Sequence, residues 1–154
     1  MQIMITGANG FIGRNLRETL ACRRPEDTLS LIDVQTPPEA LRRAAKEADF
    51  VFHLAGVNRP QTPGEFMEGN RDFTLELLKL LEAGKRPPVV LSSSTQAALD
   101  NPYGASKRAA EDAVFAYGLR TGAPVYVYRL TNAFGKWSRP NYNSAVATFC
   151  HNIA

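Results

Sequence analysis

Three residues in the middle of the chain have types and spacing that suit proton transfer. Tyr103 and Lys107 are four apart at the start of a predicted helix, so their side chains share one helical face. An ammonium beside a phenol favours the phenolate, so Lys107 is expected to lower the pKa of Tyr103 from about 10 and to make it a proton donor near neutrality. Ser94, at the end of a predicted strand, can hydrogen-bond a carbonyl oxygen. The three residues therefore indicate an acid–base site for a carbonyl compound.

A glycine-rich turn near the start of the chain indicates phosphate binding. Gly7, Gly10 and Gly13 follow the apolar residues 3–5 and lead into a predicted helix from Phe11. Such glycines allow a sharp turn, close backbone approach to a pyrophosphate and close helix–strand packing, and the helix directs free N–H groups at the phosphates. The spacing G-x-x-G-x-x-G differs from the commonest dinucleotide fingerprint, and three such glycines can also serve packing alone. Asp33, about twenty residues further on, is either a ribose-binding acid or an ordinary loop residue.

The elements that must position these residues alternate along the chain. Apolar runs predict five strands, at 3–5, 29–33, 50–54, 89–91 and 125–130, and the fourth runs into the serines 92–94. Helical spacing and stop signals predict the helices between them, at 11–22, 37–46, 64–83 and 103–121. This alternation is typical of βαβ units and a parallel sheet, whose strands end at one common edge. The glycine turn, Ser94 and Tyr103 are expected to meet there. Asn70, inside the third helix, is expected only to satisfy backbone groups.

Composition excludes several functional classes. The chain has 154 residues, 44% of them hydrophobic and 21% charged, as expected for one globular domain with a substantial core. No apolar run approaches the ~20 residues that cross a bilayer, and no basic signal region precedes the first strand, so we expect a cytoplasmic protein without membrane insertion. Two cysteines and two histidines without ligand spacing argue against a metal site. A net charge of +3 without a basic run suits an anionic small ligand better than nucleic acid.

Five motifs, found in the same order along the chain, resemble those of a known family. They are Thr6-Gly7-x-x-Gly10-x-x-Gly13, His53-Leu54-Ala55-Gly56, Ser92-Ser93-Ser94, Tyr103-x-x-x-Lys107 and Arg129-x-x-Asn132-x-x-Gly135. With them the chain resembles an extended short-chain dehydrogenase/reductase over nearly its whole length. Residues 56–60, 101–104 and 134–144 are similar to those of a narrower group, the nucleotide-sugar 4-ketoreductases of capsule and O-antigen assembly in the UDP-N-acetyl-L-fucosamine pathway. Proteins of that group also carry a cupin-type domain, of which the sequence contains no part.

The resemblance implies a Rossmann-type doubly wound parallel sheet of about five strands and a catalytic triad of Ser94, Tyr103 and Lys107. Hydride would pass from NADPH to C4 of a UDP-4-keto-6-deoxy sugar while Tyr103, as general acid, protonates the oxygen. Besides Tyr103 and Lys107, the implied cofactor-binding residues are Gly7, Asn9, Gly10, Phe11, Ile12, Gly13, Arg14, Asp33, Leu54, Ala55 and Gly56. The implied substrate-binding residues are Asn58, Arg59, Asn132 and Arg139, although either arginine can equally be solvated surface.

The cofactor and the reaction each have an alternative. NADP is expected, with Arg14 placed to meet its 2′-phosphate, but Asp33 is an acid where NADP users usually carry a basic residue, which leaves NAD open. Asp33 also favours an NAD-dependent 4-epimerase or dehydratase, although dehydratases usually add an acidic pair near the active-site serine that is missing beside Ser94. A dinucleotide-sensing module without turnover is the third reading, and such a module has no need of Tyr103 or Lys107.

The last part of the chain differs in kind from the rest. Residues 1–136 are expected to form the NAD(P)-binding domain, and residues 137–154 to begin a substrate-binding lobe that is incomplete. We therefore expect a fragment of a longer enzyme, truncated before its substrate lobe and homodimeric at full length. With one wall of its substrate pocket missing, the fragment should bind dinucleotide weakly and turn over nucleotide sugar poorly or not at all.

Overall fold

The computed structural model describes residues 1–62 and 64–154 and has a five-stranded parallel sheet at its centre. All neighbouring strands are parallel, and their order across the sheet is β2-β1-β3-β4-β5. The strands are β1 (Gln2–Thr6), β2 (Thr28–Ile32), β3 (Phe50–His53), β4 (Val89–Ser94) and β5 (Val125–Leu130). The predicted α/β fold, with a doubly wound parallel sheet of five strands, is confirmed.

Helices follow each of the five strands. They are α1 (Phe11–Arg23), α2 (Pro38–Glu47), α3 (Gly64–Phe66), α4 (Phe73–Glu82), α5 (Pro102–Thr121) and α6 (Ala145–Ile153). A 3₁₀ turn, Thr95–Ala98, links β4 to α5. In the stretches 1–62 and 64–154, no helix combines the length and the apolar character needed to cross a bilayer.

The strand order explains which face of the sheet each helix covers. The chain moves from β1 to β2 in one direction across the sheet and then back past β1 to β3, β4 and β5. Right-handed crossovers therefore place α1 on one face and α2, α4 and α5 on the other. The short segment between β2 and β3 holds only α2. The reversal at β1 and β3 creates the switch point where open α/β sheets bind ligands.

Two apolar clusters hold these layers together. The larger one packs side chains of α2, α4 and α5 on one face of the sheet, with Leu77, Val114 and Tyr117 fully buried. The smaller one packs Leu16 and Leu20 of α1 on the opposite face. The glycine turn and the start of α5 are thus both anchored to the same rigid sheet.

The predicted helix over 64–83 is continuous but irregular. A π-helical segment, Met67–Asp72, lies between α3 and α4. Asn70 within it is buried. The wider turn of a π-helix is often found beside functional sites, and in this chain it brings Asn70 against the loop that follows β3.

Candidate functional site

A cavity of about 1200 Å³ opens at the carboxyl ends of β1, β3, β4 and β5. The glycine turn, Ser94, Tyr103 and Lys107 all line it, as expected of one sheet edge. All the other residues that we predicted for the site line it too, except Asp33, Ala55 and Arg59. The volume exceeds the roughly 300–1,000 Å³ that is typical of a site for one small ligand.

The glycine turn is close-packed against the protein on one side and open to the cavity on the other. Gly7 has a φ of +67°, and a Cβ there would lie 2.7 Å from the backbone nitrogen of Ala55. A Cβ on Gly13 would collide with the carbonyl oxygen of Gly7. Both positions therefore require glycine. Gly10 and the first turn of α1 face the cavity, where free backbone N–H groups and the helix dipole favour an anion.

Asp33 lies at the end of β2 and braces the glycine turn. Its carboxylate accepts a hydrogen bond of 2.8 Å from the backbone N–H of Asn9 and one of 2.9 Å from that of Val34. Arg17 donates to the Asn9 side chain at 3.3 Å. Arg14 is exposed and lines the cavity. The Asp33 carboxylate therefore forms hydrogen bonds within the protein that hold the glycine turn in place.

Tyr103 lies in the first turn of α5. The Asn101 side chain caps this helix by accepting a 2.7 Å hydrogen bond from the N–H of Gly104. The Tyr103 ring is half-buried against Phe66, with 5.5 Å between ring centroids. Burial raises the pKa of the Tyr103 phenol above its ordinary value, and the Ser94 hydroxyl opposes that rise. Our prediction of a lowered pKa was wrong, because desolvation of the phenolate outweighs the favourable contacts.

Lys107 is buried one helical turn further along α5. Its ammonium donates a 2.7 Å hydrogen bond to the backbone carbonyl of Ser92. Burial lowers the pKa of Lys107 to about 8, although the carboxylate of Glu111 acts against this. The ammonium approaches Gly56, where a Cβ would lie 3.6 Å from Nζ. The lysine is thus fixed between β4 and the loop after β3.

The three serines at the end of β4 have different partners. Ser94 lines the cavity, and its hydroxyl accepts from the backbone N–H of Gln96 at 3.2 Å. Ser93 points to the α5 side and donates to the carboxylate of Glu111. Ser92 supplies the carbonyl that holds Lys107. Of the three hydroxyls, that of Ser94 is the one beside the Tyr103 phenol.

A buried histidine connects the strands below the cavity. His53 Nδ1 is 2.7 Å from the hydroxyl of Thr6, and Nε2 is 2.8 Å from that of Thr74. Because the Thr74 hydroxyl donates to the Asn70 carbonyl, it must accept from the ring, which assigns the proton to Nε2. Burial, with a further contribution from the charge of Lys107, lowers the pKa of His53 to about 3. This histidine is therefore a neutral structural link.

Asn70 fixes the loop after β3 to the start of α5. Its amide accepts from the N–H of Val57 at 2.9 Å and donates to the carbonyl of the same residue at 2.9 Å. It also donates to the Ser106 hydroxyl, which in turn donates to the carbonyl of Tyr103. The expectation that Asn70 satisfies backbone groups is confirmed, and its connection to Ser106 is additional.

The residues predicted for substrate binding lie around the mouth of the cavity. Asn58, Asn132 and Arg139 are exposed and line it. Arg59 instead packs over the ring of Tyr142, with 4.5 Å from its guanidinium carbon to the ring centroid, and donates to the Tyr142 carbonyl. The Tyr142 hydroxyl donates to Asn58 at 3.1 Å. Arg59 thus joins the two loops that border the cavity.

Sequence reasoning missed one group close to the site. Glu111 is 2% exposed and forms an ion pair with Arg129 from β5 at 2.7 Å. A signal for it existed: Tyr103, Lys107 and Glu111 follow one another at intervals of four on one helix face. Arg129 appeared in a motif of the resemblance without any assigned role.

A comparison with protein families decides where the chain belongs. Residues 3–154 match the NAD dependent epimerase/dehydratase family. The chain belongs to this family. It is 51% identical, over 99% of its own length, to a UDP-2-acetamido-2,6-beta-L-arabino-hexul-4-ose reductase of Pseudomonas aeruginosa. The resemblance noted in the sequence is thereby confirmed.

Solved structures of other proteins have the same fold. The capsular polysaccharide assembling protein CapF from Staphylococcus aureus superposes with a TM-score of 0.87 at 45% identity over 99% of this chain. A UDP-glucuronic acid 4-epimerase from Bacillus cereus, solved in complex with NAD, has a TM-score of 0.80 at 18% identity over 92% of it, which supports the fold alone. The chain spans only 41% of the Pseudomonas reductase and 42% of the CapF chain.

Proposed function

We propose that this chain forms the cofactor-binding and proton-donating part of a nucleotide-sugar reductase of cell-surface polysaccharide biosynthesis. Its substrate would be a UDP-4-keto-6-deoxy-N-acetylhexosamine, reduced at the C4 keto group. The observation that carries this proposal is the convergence of Ser94, Tyr103 and Lys107 with the glycine turn in one cavity. The 51% identity to a reductase of such a sugar supports the substrate class.

The residues around the glycine turn fit a nicotinamide dinucleotide. The first turn of α1 and Gly10 face the cavity and would hold the pyrophosphate by backbone N–H groups and the helix dipole. Leu54 and Gly56 line the cavity beside the turn and would border the nucleoside parts, with Ala55 between them. The ammonium of Lys107 would donate to ribose hydroxyls. When bound, the dinucleotide supplies the hydride for the reduction.

NADP is the proposed cofactor. The carboxylate of Asp33 already accepts two backbone hydrogen bonds, from Asn9 and Val34. These donors partly compensate its negative charge, which reduces its repulsion of a 2′-phosphate. Arg14 is exposed in the cavity wall next to the turn, where its guanidinium can pair with that phosphate. NAD lacks the group that would make this contact.

Tyr103 would supply the proton. With its pKa raised by burial, the phenol is protonated at neutral pH and can donate to the oxygen at C4 as negative charge develops there. The Ser94 hydroxyl would hydrogen-bond the same oxygen and orient the carbonyl. Lys107, close to the phenol on one helix face, would stabilise the phenolate that remains. A proton from solvent then restores the phenol.

The mouth of the cavity would receive the sugar nucleotide. Asn58, Asn132 and Arg139 line it and offer amide and guanidinium donors to an anionic diphosphate or an acetamido group. Arg59 would act by fixing the loop of Tyr142 and Asn143, to both of which it donates. Residues 1–136 would form the cofactor domain and residues 137–154 the beginning of the substrate lobe, in a longer enzyme that is a homodimer.

The proposal is tested by removing the proton of Tyr103 alone. The assay uses a hybrid enzyme in which residues 1–154 replace the matching stretch of the Pseudomonas reductase, and follows NADPH oxidation with the UDP-4-keto sugar. Tyr103→Phe should lower kcat by roughly 10²–10⁴-fold while leaving cofactor affinity unchanged. Tyr117→Phe, which removes a hydroxyl buried far from the cavity, is the matched control. Near-normal kcat in Tyr103→Phe would exclude this residue as the acid.

A further inference from the structure

A buried charge network lies directly behind the proposed acid–base site. The carboxylate of Glu111 accepts hydrogen bonds from Arg129 at 2.7, 3.0 and 3.2 Å and a further one from the Ser93 hydroxyl. Glu111 is 2% exposed, whereas the Arg129 side chain is 48% exposed. The three residues come from α5, β5 and β4, so the network joins three elements at one point.

The network faces the site through Lys107. Glu111 follows Lys107 by one turn of α5, so the carboxylate and the ammonium share a helix face. The other titratable groups near this ammonium are Tyr103 on α5 and His53 on β3, and both are neutral at pH 7. Arg129 approaches from β5 and contacts Glu111. Among these groups, Glu111 is the one anion that can compensate the buried ammonium.

The carboxylate is built to remain charged in this position. Burial raises the pKa of Glu111, but hydrogen bonds from Arg129 and Ser93 outweigh burial, and the net effect is a lowered pKa. A buried carboxylate with its lone pairs satisfied in this way keeps its charge at all pH values where the site would work.

We propose that Glu111 is a positioning residue for Lys107. Its carboxylate, fixed by Arg129 and Ser93, compensates the buried ammonium and keeps it charged and directed at the Ser92 carbonyl, beside the phenol. The consequence for catalysis rests on the proposed function; the coupling between the two charges does not.

Two substitutions should shift the pKa of Lys107 in opposite directions. Glu111→Gln keeps the size and hydrogen-bonding capacity of the side chain but removes its charge, so the ammonium loses its compensation. Arg129→Gln removes the cation that partly neutralises Glu111, so more of the carboxylate's field acts on the ammonium. If the network had a purely structural role, both variants would shift the pKa of Lys107 in the same direction, or neither would shift it.

The experiment is an NMR titration of the 154-residue chain with ¹³C-labelled lysine. The chain has five lysines, so Lys107→Arg assigns the resonance by its loss. We expect a midpoint for Lys107 near pH 8 in the unsubstituted chain, about one pH unit lower in Glu111→Gln and higher in Arg129→Gln. Glu82→Gln, which removes the partly buried partner of the exposed Arg120, should leave the Lys107 midpoint unchanged.

The outcomes separate this proposal from the proposed function. An unchanged Lys107 midpoint in Glu111→Gln, or shifts of the same sign in both variants, would overturn the positioning role. Should Glu111→Gln not fold, the double variant Glu111→Gln/Arg129→Gln takes its place, because it leaves no unpaired charge in the network, and its Lys107 midpoint should still lie below that of the unsubstituted chain. In the hybrid enzyme, Glu111→Gln should also move the alkaline limb of the kcat/KM profile to lower pH. If the Lys107 midpoints shift as expected but the unsubstituted hybrid shows no turnover, the result would instead count against the reductase assignment.

Discussion

The neutral His53 below the cavity makes the stability of the chain depend on pH. In the folded protein, burial and the charge of Lys107 lower the pKa of His53 to about 3, against 6.5 for an ordinary histidine. Below about pH 6.5 the unfolded chain therefore binds a proton that the folded chain does not. Folding stability should fall as pH decreases through this window, since the unfolded state is favoured by proton binding.

The magnitude follows from the two pKa values. Each unit of pKa difference corresponds to ~1.4 kcal/mol, so lowering the pH from about 7 to about 5 should reduce the free energy of unfolding by ~2 kcal/mol. This interval isolates the histidine, because Asp27, Asp49 and Glu111, whose pKa values are also lowered, lose their contributions mainly at more acidic pH.

Urea unfolding of the chain, followed by circular dichroism at both pH values, measures this loss. His53→Gln removes the titrating ring and also its contact with Phe73, so its stability should be lower overall but nearly independent of pH in this range. His151→Gln removes the other histidine, which is exposed in α6, and should behave as the unsubstituted chain. An equal pH dependence in His53→Gln and the unsubstituted chain would refute the reasoning.

Three further predictions concern the glycine turn, the cofactor and the end of the chain. Gly13→Ala should destabilise the fold by ~1–3 kcal/mol and weaken dinucleotide binding, because the added Cβ collides with backbone atoms. In urea unfolding and binding assays, the control Gly64→Ala should change neither stability nor affinity, because no atom lies within 4 Å of its added Cβ. Arg14→Gln should reduce NADPH affinity at least about tenfold and leave NADH affinity unchanged by fluorescence titration, with Arg23→Gln as the control; equal losses for both cofactors would contradict the assigned contact. Residues 137–154 should exchange amide hydrogens fastest, because α6 contains no buried residue, and protection equal to that of the sheet would contradict this.

The sequence predicted those parts of the molecule that depend on local pattern. The alternation of apolar runs with helical segments was enough for the parallel sheet, and a parallel sheet brings Gly7, Ser94 and Tyr103 to one edge whatever the details of packing. Helical periodicity likewise put Tyr103 and Lys107 on one face. Such features follow from spacing along the chain, which is visible without coordinates.

Other parts depend on desolvation and on contacts between distant segments. The direction of the Tyr103 pKa was mispredicted because a neighbouring lysine is visible in the sequence, whereas the burial of the phenol against Phe66 is not. The pairing of Glu111 with Arg129 required the neighbouring position of β5 and α5. The π-helical segment around Asn70 has no sequence signal that distinguishes it from an ordinary helix.

The most direct test of the central claim is the fate of the hydride. The hybrid enzyme is incubated with a UDP-4-keto-6-deoxy-N-acetylhexosamine and NADPH dideuterated at nicotinamide C4, and the product is analysed by mass spectrometry and NMR. If the enzyme is a C4 ketoreductase, each product molecule carries one deuterium, bonded to C4, and one NADPH is oxidised for each sugar reduced. Sugar conversion without deuterium at C4 and without net oxidation of NADPH would indicate an epimerase or dehydratase and contradict the proposed reduction.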